Sequence, residues 1–457
     1  MILPIPMLSI QSNSDSDSFT GKPNEIKVIT LNPAHFHAAL VHKSNIDQVD
    51  PVIHIYSEGG SDLDKHLDRI EGFNSREENP TNWKCEVYTG DDYLERMLEE
   101  KPGNVMVTAG NNRLKTEYIK KTVDHGINVL SDKPMAINKE KWELLVEAFR
   151  SAKENGVLLY DIMTERNEIT SMLQRKLAQN RKLFGELRKG SVDDPAIFQK
   201  NTHHLKKTVS GNPLMRPPWY FDVLQQGEGI VDIPTHLIDL AMWCSFPGRA
   251  IDYKKDLQMI NADRSPTVIT REQFEEVTGS PDFPDYLSDQ IVDGKLPYYC
   301  NGSMNFTLCG HHTKIVARWD YEAPAGGGDS HFATLRGTKS DLVIRQSAEQ
   351  NFKSTLYIEP AEGENAAELE KELMKAVEEL QGDFSGVAYE KSENGWKLDI
   401  PDKYYLGHEA HFGKVAQDFF GFLVDGKLPE WEVPNMITKY YITTQAREMV
   451  LNDESNQ

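Results

Sequence analysis

The sequence predicts two joined folds: a doubly wound α/β domain on a parallel sheet, then an α+β domain whose open, mostly antiparallel sheet packs on helices. Three observations carry this. From Ile26 to Met163, short apolar strands alternate with helical stretches, the pattern of right-handed βαβ crossovers. Beyond residue 167, strand-like segments follow one another without helices between them, as in antiparallel sheets. The 457 residues also exceed what a single hydrophobic core sustains. The expected division is a disordered tether or signal remnant over 1–25, the doubly wound domain over 26–166, and the α+β domain over 167–457, with insertions near 252–295 and 348–400.

The chain opens on MILPIPMLSI and passes into a Ser/Asp/Asn tract of disordered composition. With no basic n-region and no lipobox cysteine, a shortened export signal to a bacterial periplasm and a cytoplasmic location both stay open. The strands IKVITL, PVIHIYSE, CEVYTG, NVMVTAG, INVLSDKP and VLLYDIM follow. Between them come helices in PAHFHAALVHKS and over 91–100, 113–125 and 138–155. A parallel sheet of this kind takes its ligand beyond the carboxyl ends of its strands, where strand order reverses. Those ends carry Asn32, Glu58, Ala109 to Asn112, Lys133 and Thr164 to Arg166.

A helix over 168–178 begins the second half, followed by the strands GSMNFTL, TKIVARWDYEA, HFATLRG and DLVIRQ. The Asp/Pro/Ser-rich stretch from Asp252 to Lys295 reads as surface loop with short helices. ENAAELEKELMKAVEELQ is a charged helix with solvated i,i+4 pairs, and two amphipathic helices close the chain, placed to pack back on the first domain.

Lys plus Arg number 50 against 71 Asp plus Glu, a formal charge of -21 that argues against nucleic acid and anionic membrane surfaces. Cys85, Cys244, Cys300 and Cys309 form no CxxC, so neither a zinc–thiolate site nor a disulfide framework is signalled. No window approaches the ~20 apolar residues of a membrane span.

At the first strand's end, LNPAHFHA puts Asn32, Ala34 and His37 where a dinucleotide fold carries the glycines of GxGxxG. A helix N-terminus remains there for phosphate. Glu58 is placed to accept from ribose hydroxyls, which favours NAD over NADP. His35 and His37, two apart, diverge if helical, so no metal site is expected. Gly227 to Trp243, GEGIVDIPTHLIDLAMW, sets Asp232, His236 and Asp239 on one helical face. Alone, it also reads as a helix capped by Asp232 over a core histidine. Lys133, closing a strand in Asp132-Lys133-Pro134, projects into the cleft, where it can stabilise charge on a substrate oxygen.

These motifs resemble the Gfo/Idh/MocA family of NAD(P)-dependent oxidoreductases. Asp132-Lys133-Pro134 stands for its EKP, and Gly229, Asp232, His236 and Asp239 stand for its G-x-x-D-x-x-x-H-x-x-D. The resemblance implies a Rossmann-like first domain binding NAD, with NADP the weaker candidate. It further implies hydride transfer from a secondary hydroxyl of a sugar or glycoside. His236 would be the base, Asp232 its partner, and Lys133 a hydrogen-bond donor to the reacting oxygen. Cofactor contacts are expected from Asn32, Ala34, His35, Glu58, Ala109, Asn111, Lys133 and Arg166, and substrate contacts from His203, His204, Trp219, Tyr220 and Asp239. The longer C-terminal part resembles a subgroup of glycan-degrading bacteria, and the open sheet makes a homo-oligomer the expected assembly. Two rivals stay open: an NAD-recycling glycosidase working by oxidation and elimination, and a sugar-binding protein without cofactor.

Overall fold

The computed structural model describes residues 19–209 and 212–455. Most of the expected tether, residues 1–18, lies outside the described residues. Residues 20–22 are not loose: their backbone N–H groups donate to the Glu25 carboxylate.

The first half runs β1 (Val28–Leu31), α1 (His37–Leu40), β2 (Val52–Ser57), α2 (Ser61–Ser75), β3 (Lys84–Thr89), α3 (Tyr93–Glu100), β4 (Val105–Thr108), α4 (Lys115–Asp124), β5 (Asn128–Asp132), α5 (Lys139–Asn155) and β6 (Leu159–Ile162). Its strands form one parallel sheet in the order β3-β2-β1-β4-β5-β6. β1, β4, β5 and β6 are buried along their whole length, because crossovers cover both faces. The edge strand β3 instead exposes Lys84 and Glu86. Strand order reverses between β1 and β4, and a crevice opens there.

PAHFHAALVHKS does not form the expected long helix. Asn32 takes a left-handed φ of 44°, and the N–H groups of Ala34 and His35 turn onto the Ala109 carbonyl at 3.3 and 3.2 Å, so only the single turn α1 follows. α2 fills the β2–β3 crossover, with Leu63, Leu67, Ile70 and Phe73 recurring at helical spacing against the core.

The second half runs α6 (Ile169–Ala178), β7 (Ile197–Lys206), β8 (Thr208–Val209), β9 (Asn212–Pro213), α7 (Pro234–Ser245), β10 (Leu257–Ile269), α8 (Arg271–Thr278), β11 (Leu296–Leu308), β12 (His311–Glu322), β13 (Ser330–Arg336), β14 (Ser340–Gln346), β15 (Thr355–Pro360), α9 (Ala366–Leu380), β16 (Ala388–Ser392), β17 (Gly395–Asp399), α10 (His408–Asp425) and α11 (Glu432–Ser455). Nine strands join in the order β10-β11-β12-β7-β13-β14-β15-β17-β16, antiparallel except for β7 against β12. Along β11 buried and half-buried residues alternate strictly, so one sheet face packs on α6 and α7 while the other stays partly open.

Both expected insertions are part of this sheet. β10 lies within 252–295; as an edge strand with little burial on either face it carries a polar sequence that reads as loop. β15, β16 and β17 extend the opposite side. Phe412, Phe419 and Phe420 of α10 and Tyr440 of α11 join the core of the first sheet, while Ile442 and Ala446 join the second.

Candidate active site

The turn before α7 is seated by a close approach. A Cβ on Gly229 would stand 1.7 Å from the Cys300 carbonyl oxygen, so only glycine lets this turn lie against β11. The turn delivers Asp232, whose carboxylate is ion-paired with the Lys133 ammonium arriving from the end of β5. The two side chains are 7% and 9% exposed. Gln226 Nε2 donates to the other carboxylate oxygen at 3.3 Å. Asp232 is therefore no side-chain cap of α7, which has none. Nor does it hold His236 as expected: among the described residues its side-chain partners are Lys133 and Gln226.

His236 is buried, and its Nδ1 has no hydrogen-bond partner. Burial, then the charges of Lys133 and His408, push the imidazole well below its ordinary value, so the ring is neutral and able to accept a proton. It opens on a cleft of about 680 Å³ between the two sheets, shared with Lys133, Asp232, Asn112, His203 and Tyr220. Asn112 Oδ1 is likewise buried without a partner, while its Nδ2 donates to the Gln226 carbonyl at 2.7 Å.

Several expected contacts lie elsewhere. Asp239 faces away from the cleft: Arg166 grips it through Nε at 2.6 Å and Nη2 at 2.7 Å, and Lys439 reaches it at 2.8 Å. Burial opposes ionisation of this carboxyl, but Arg166 and Lys439 outweigh it and hold it well below the usual carboxylate range. Arg166 is thereby consumed in an internal network with Asp239 and Glu432 and does not reach the cofactor cleft. Trp219 donates from Nε1 to Asp62 at 3.0 Å, tying the halves together rather than forming a sugar platform in the cleft. Asn111 Nδ2 donates to Gln225 Oε1 at 2.7 Å. Asn32 accepts from Ser57 Oγ at 3.2 Å and donates toward Tyr93 and Tyr118, so its side chain is already engaged. Ala109 contributes the carbonyl that closes the first turn. Glu58 is exposed at the end of β2, and Ala34 and His35 stand in the turn after β1.

His203 and His204 lie on β7. Their Nδ1 atoms each stand 3.0 Å from an Asp329 oxygen, and only His203 lines the cleft. Asp329, which also accepts from Lys207 at 2.7 Å, has no residue-pattern signal beyond the glycine run before it. His408, also in the cleft, is equally unannounced, while Glu165 belongs to the Thr164–Arg166 strand end where a ligand is expected. Burial and the neighbouring Glu168 raise Glu165 to about 7. His35 and His37 do not diverge as helical neighbours would, since they precede or begin α1; the donor atoms of His35, His37 and Asp132 lie within 4.8 Å of one another.

A doubly wound domain facing an α+β domain, with a lysine and a neutral histidine converging at the switch-point cleft, defines a dinucleotide-dependent oxidoreductase. Residues 32–160 match the model described as "Oxidoreductase family, NAD-binding Rossmann fold", and residues 173–451 match "Putative oxidoreductase C terminal domain". The chain belongs to the Gfo/Idh/MocA family of oxidoreductases, and its first domain is an NAD-binding Rossmann domain. A crystal structure titled "putative oxidoreductase" from Parabacteroides merdae is 52% identical, with a TM-score of 0.94, over 95% of this chain and 100% of that one. Levoglucosan dehydrogenase in complex with NADH and levoglucosan shares the fold at 14% identity and a TM-score of 0.59, over 94% and 97% of the two chains. So does the NADP complex of KijD10, a 3-ketoreductase from Actinomadura kijaniata, at 13% and 0.54, over 93% and 98%. No curated protein matches the sequence.

The residues fit NAD unevenly. The unpartnered His236 Nδ1 and Asn112 Oδ1 beside Lys133 suit the reacting end, and exposed Glu58 suits a ribose. The turn after β1 offers less to a diphosphate, because the N–H groups of Ala34 and His35 are spent on Ala109, and that of His37 donates to His35 Nδ1 at 3.3 Å.

Proposed function

We propose that this oxidoreductase moves a hydride between NAD and a secondary hydroxyl of a sugar or glycoside. The observation that carries the reading is the buried, neutral His236 with a free Nδ1, set beside the Lys133–Asp232 pair in one cleft. NAD, when bound, supplies the hydride acceptor. His236 takes the hydroxyl proton as general base. Lys133 donates to the same oxygen and stabilises the charge that develops there, while Asp232 fixes the direction of its ammonium. The cleft's wall of hydrogen-bonding groups, including His203, Asp329 and Asn201, suits a polyhydroxylated ligand rather than an apolar one. Tyr220, with Arg216 over its ring at 4.7 Å, forms part of that wall.

The test is a panel of sugars and glycosides incubated with NAD, followed by NADH absorbance, beside calorimetric titrations with NAD and NADP. NADH formation with a carbohydrate, and tighter binding of NAD than of NADP, is expected. Absence of heat with either nucleotide overturns the reading and leaves a sugar-binding protein. A second reading, glycosidic cleavage with NAD recycled, draws support from additional proton-transfer groups in the cleft, Glu165 at about 7 and His203 beside Asp329. Free sugar released without net NADH would select it.

A further inference from the structure

We propose that His35, His37 and Asp132 form a binding site for a divalent transition-metal ion of the zinc class. The inference goes beyond the redox reading and stands without it. His37 occupies the third glycine position of the usual dinucleotide turn, and Asp132 replaces the glutamate of the family's EKP. These two departures from the family pattern meet: His37 Nδ1 lies 2.9 Å from Asp132 Oδ2. His35 completes the group, its ring edge-on to that of His37 with centroids 4.1 Å apart.

All three side chains line the cleft, and one donor atom from each lies within 4.8 Å of the others. Donors on a single zinc ion stand roughly 3–3.5 Å apart for bonds of about 2.0–2.1 Å, so side-chain adjustment on the order of an ångström closes the set. Two imidazoles and one carboxylate select zinc-like ions over magnesium or calcium, which prefer all-oxygen shells. Three protein ligands leave a coordination position open to the cleft. The nearby cations are tempered. Lys133 is paired with Asp232, and the Lys115 Nζ donates to the Asp132 carbonyl at 3.2 Å.

The test uses the full chain, stripped with a chelator, then titrated with Co²⁺ and separately loaded with Zn²⁺ before desalting and elemental analysis. One Co²⁺ per chain with visible d–d absorption and one retained Zn²⁺ are expected. His37→Gln and Asp132→Asn should each lower metal affinity by at least tenfold, while His125→Ala, on the exposed surface, should not. Circular dichroism and thermal unfolding of the metal-free variants separate loss of the site from loss of the fold. Folded variants that bind Co²⁺ like the parent overturn the proposal, as does a parent chain that retains no metal.

Discussion

The two ends of α7 handle buried polar groups in opposite ways. Toward its carboxyl end, Asp239 is enclosed by Arg166 and Lys439. Lys439, fully buried, also reaches Asp161 at 2.8 Å, and Arg166 spans to Glu432 at 2.7 Å. At the amino end, His236 is also buried but has an empty Nδ1, and Asp232 shares its lysine with the cleft. The closed network fixes α7, α11 and the turn after β6 against β6 and has nothing left to offer a ligand. The open one keeps its hydrogen-bonding capacity unspent, which is what a substrate requires.

Breaking the closed end should give the largest loss of stability. Lys439→Met leaves buried Asp161 without its counter-charge and Asp239 with Arg166 alone, and we expect the unfolding free energy in urea to fall by about 3–5 kcal/mol. The double variant Asp239→Asn/Lys439→Met should lose less than the sum of the single changes, because each removes the same interaction. A loss below about 1 kcal/mol for Lys439→Met, typical of a surface pair, would erase the contrast between the two ends.

The open end should show the reverse balance. His236→Ala is expected to lower turnover by roughly a hundredfold or more, with NAD binding retained. Its urea midpoint should move far less than that of Lys439→Met. Lys133→Met should damage turnover comparably, and it should also cost stability because Asp232 loses its counter-charge. Unchanged turnover in the histidine variant would return His236 to the role of a core residue.

Acid should act on the open end before the closed one. Burial holds His408 and His331 at about 4 and lowers His236 well below 6.5. As pH falls below about 6.5 the unfolded chain takes up protons that the folded chain refuses, so stability declines from there toward about 4. Glu165 has the opposite sign: burial and Glu168 raise it to about 7, so its contribution is present below the usual carboxylate value and is lost as pH rises through 7. Urea midpoints from pH 8 to 5 should fall on the acid side. Glu165→Gln should remove part of the alkaline loss and His408→Gln part of the acid loss; slopes unaffected by either change would count against both assignments.

The same contrast explains what the sequence makes legible. Asp232 and Asp239 are alike in composition and helical spacing, and the family motif contains both. They are separated by Lys439, 200 residues beyond Asp239, a contact that no local pattern contains. The parallel sheet was readable because its buried strands are short unbroken apolar runs, whereas β10 was hidden by its position at an edge. β7, which carries His203, is mixed in polarity and gives no strand signal, and the partner Asp329 arrives from a loop 126 residues away. Local periodicity and turn chemistry reach as far as each element. Ion-pair partners are settled only by packing.

Glu58 tests the comparison at its mildest, on a group neither enclosed nor deeply buried. It stands at the end of β2, followed by Gly59 and Gly60 with φ of 92° and 89°, conformations that leave the backbone clear of side chains on that side. A carboxylate there accepts from paired ribose hydroxyls and repels a 2′-phosphate. Glu58→Ala should weaken NAD by about tenfold, or 1.4 kcal/mol, and leave stability within about 0.5 kcal/mol. NADP should bind the variant no worse than the parent, since a repulsion has been removed along with no attraction. Equal weakening of both nucleotides would mean that Glu58 shapes the loop rather than reading the ribose, and the NAD preference would then need another residue to carry it.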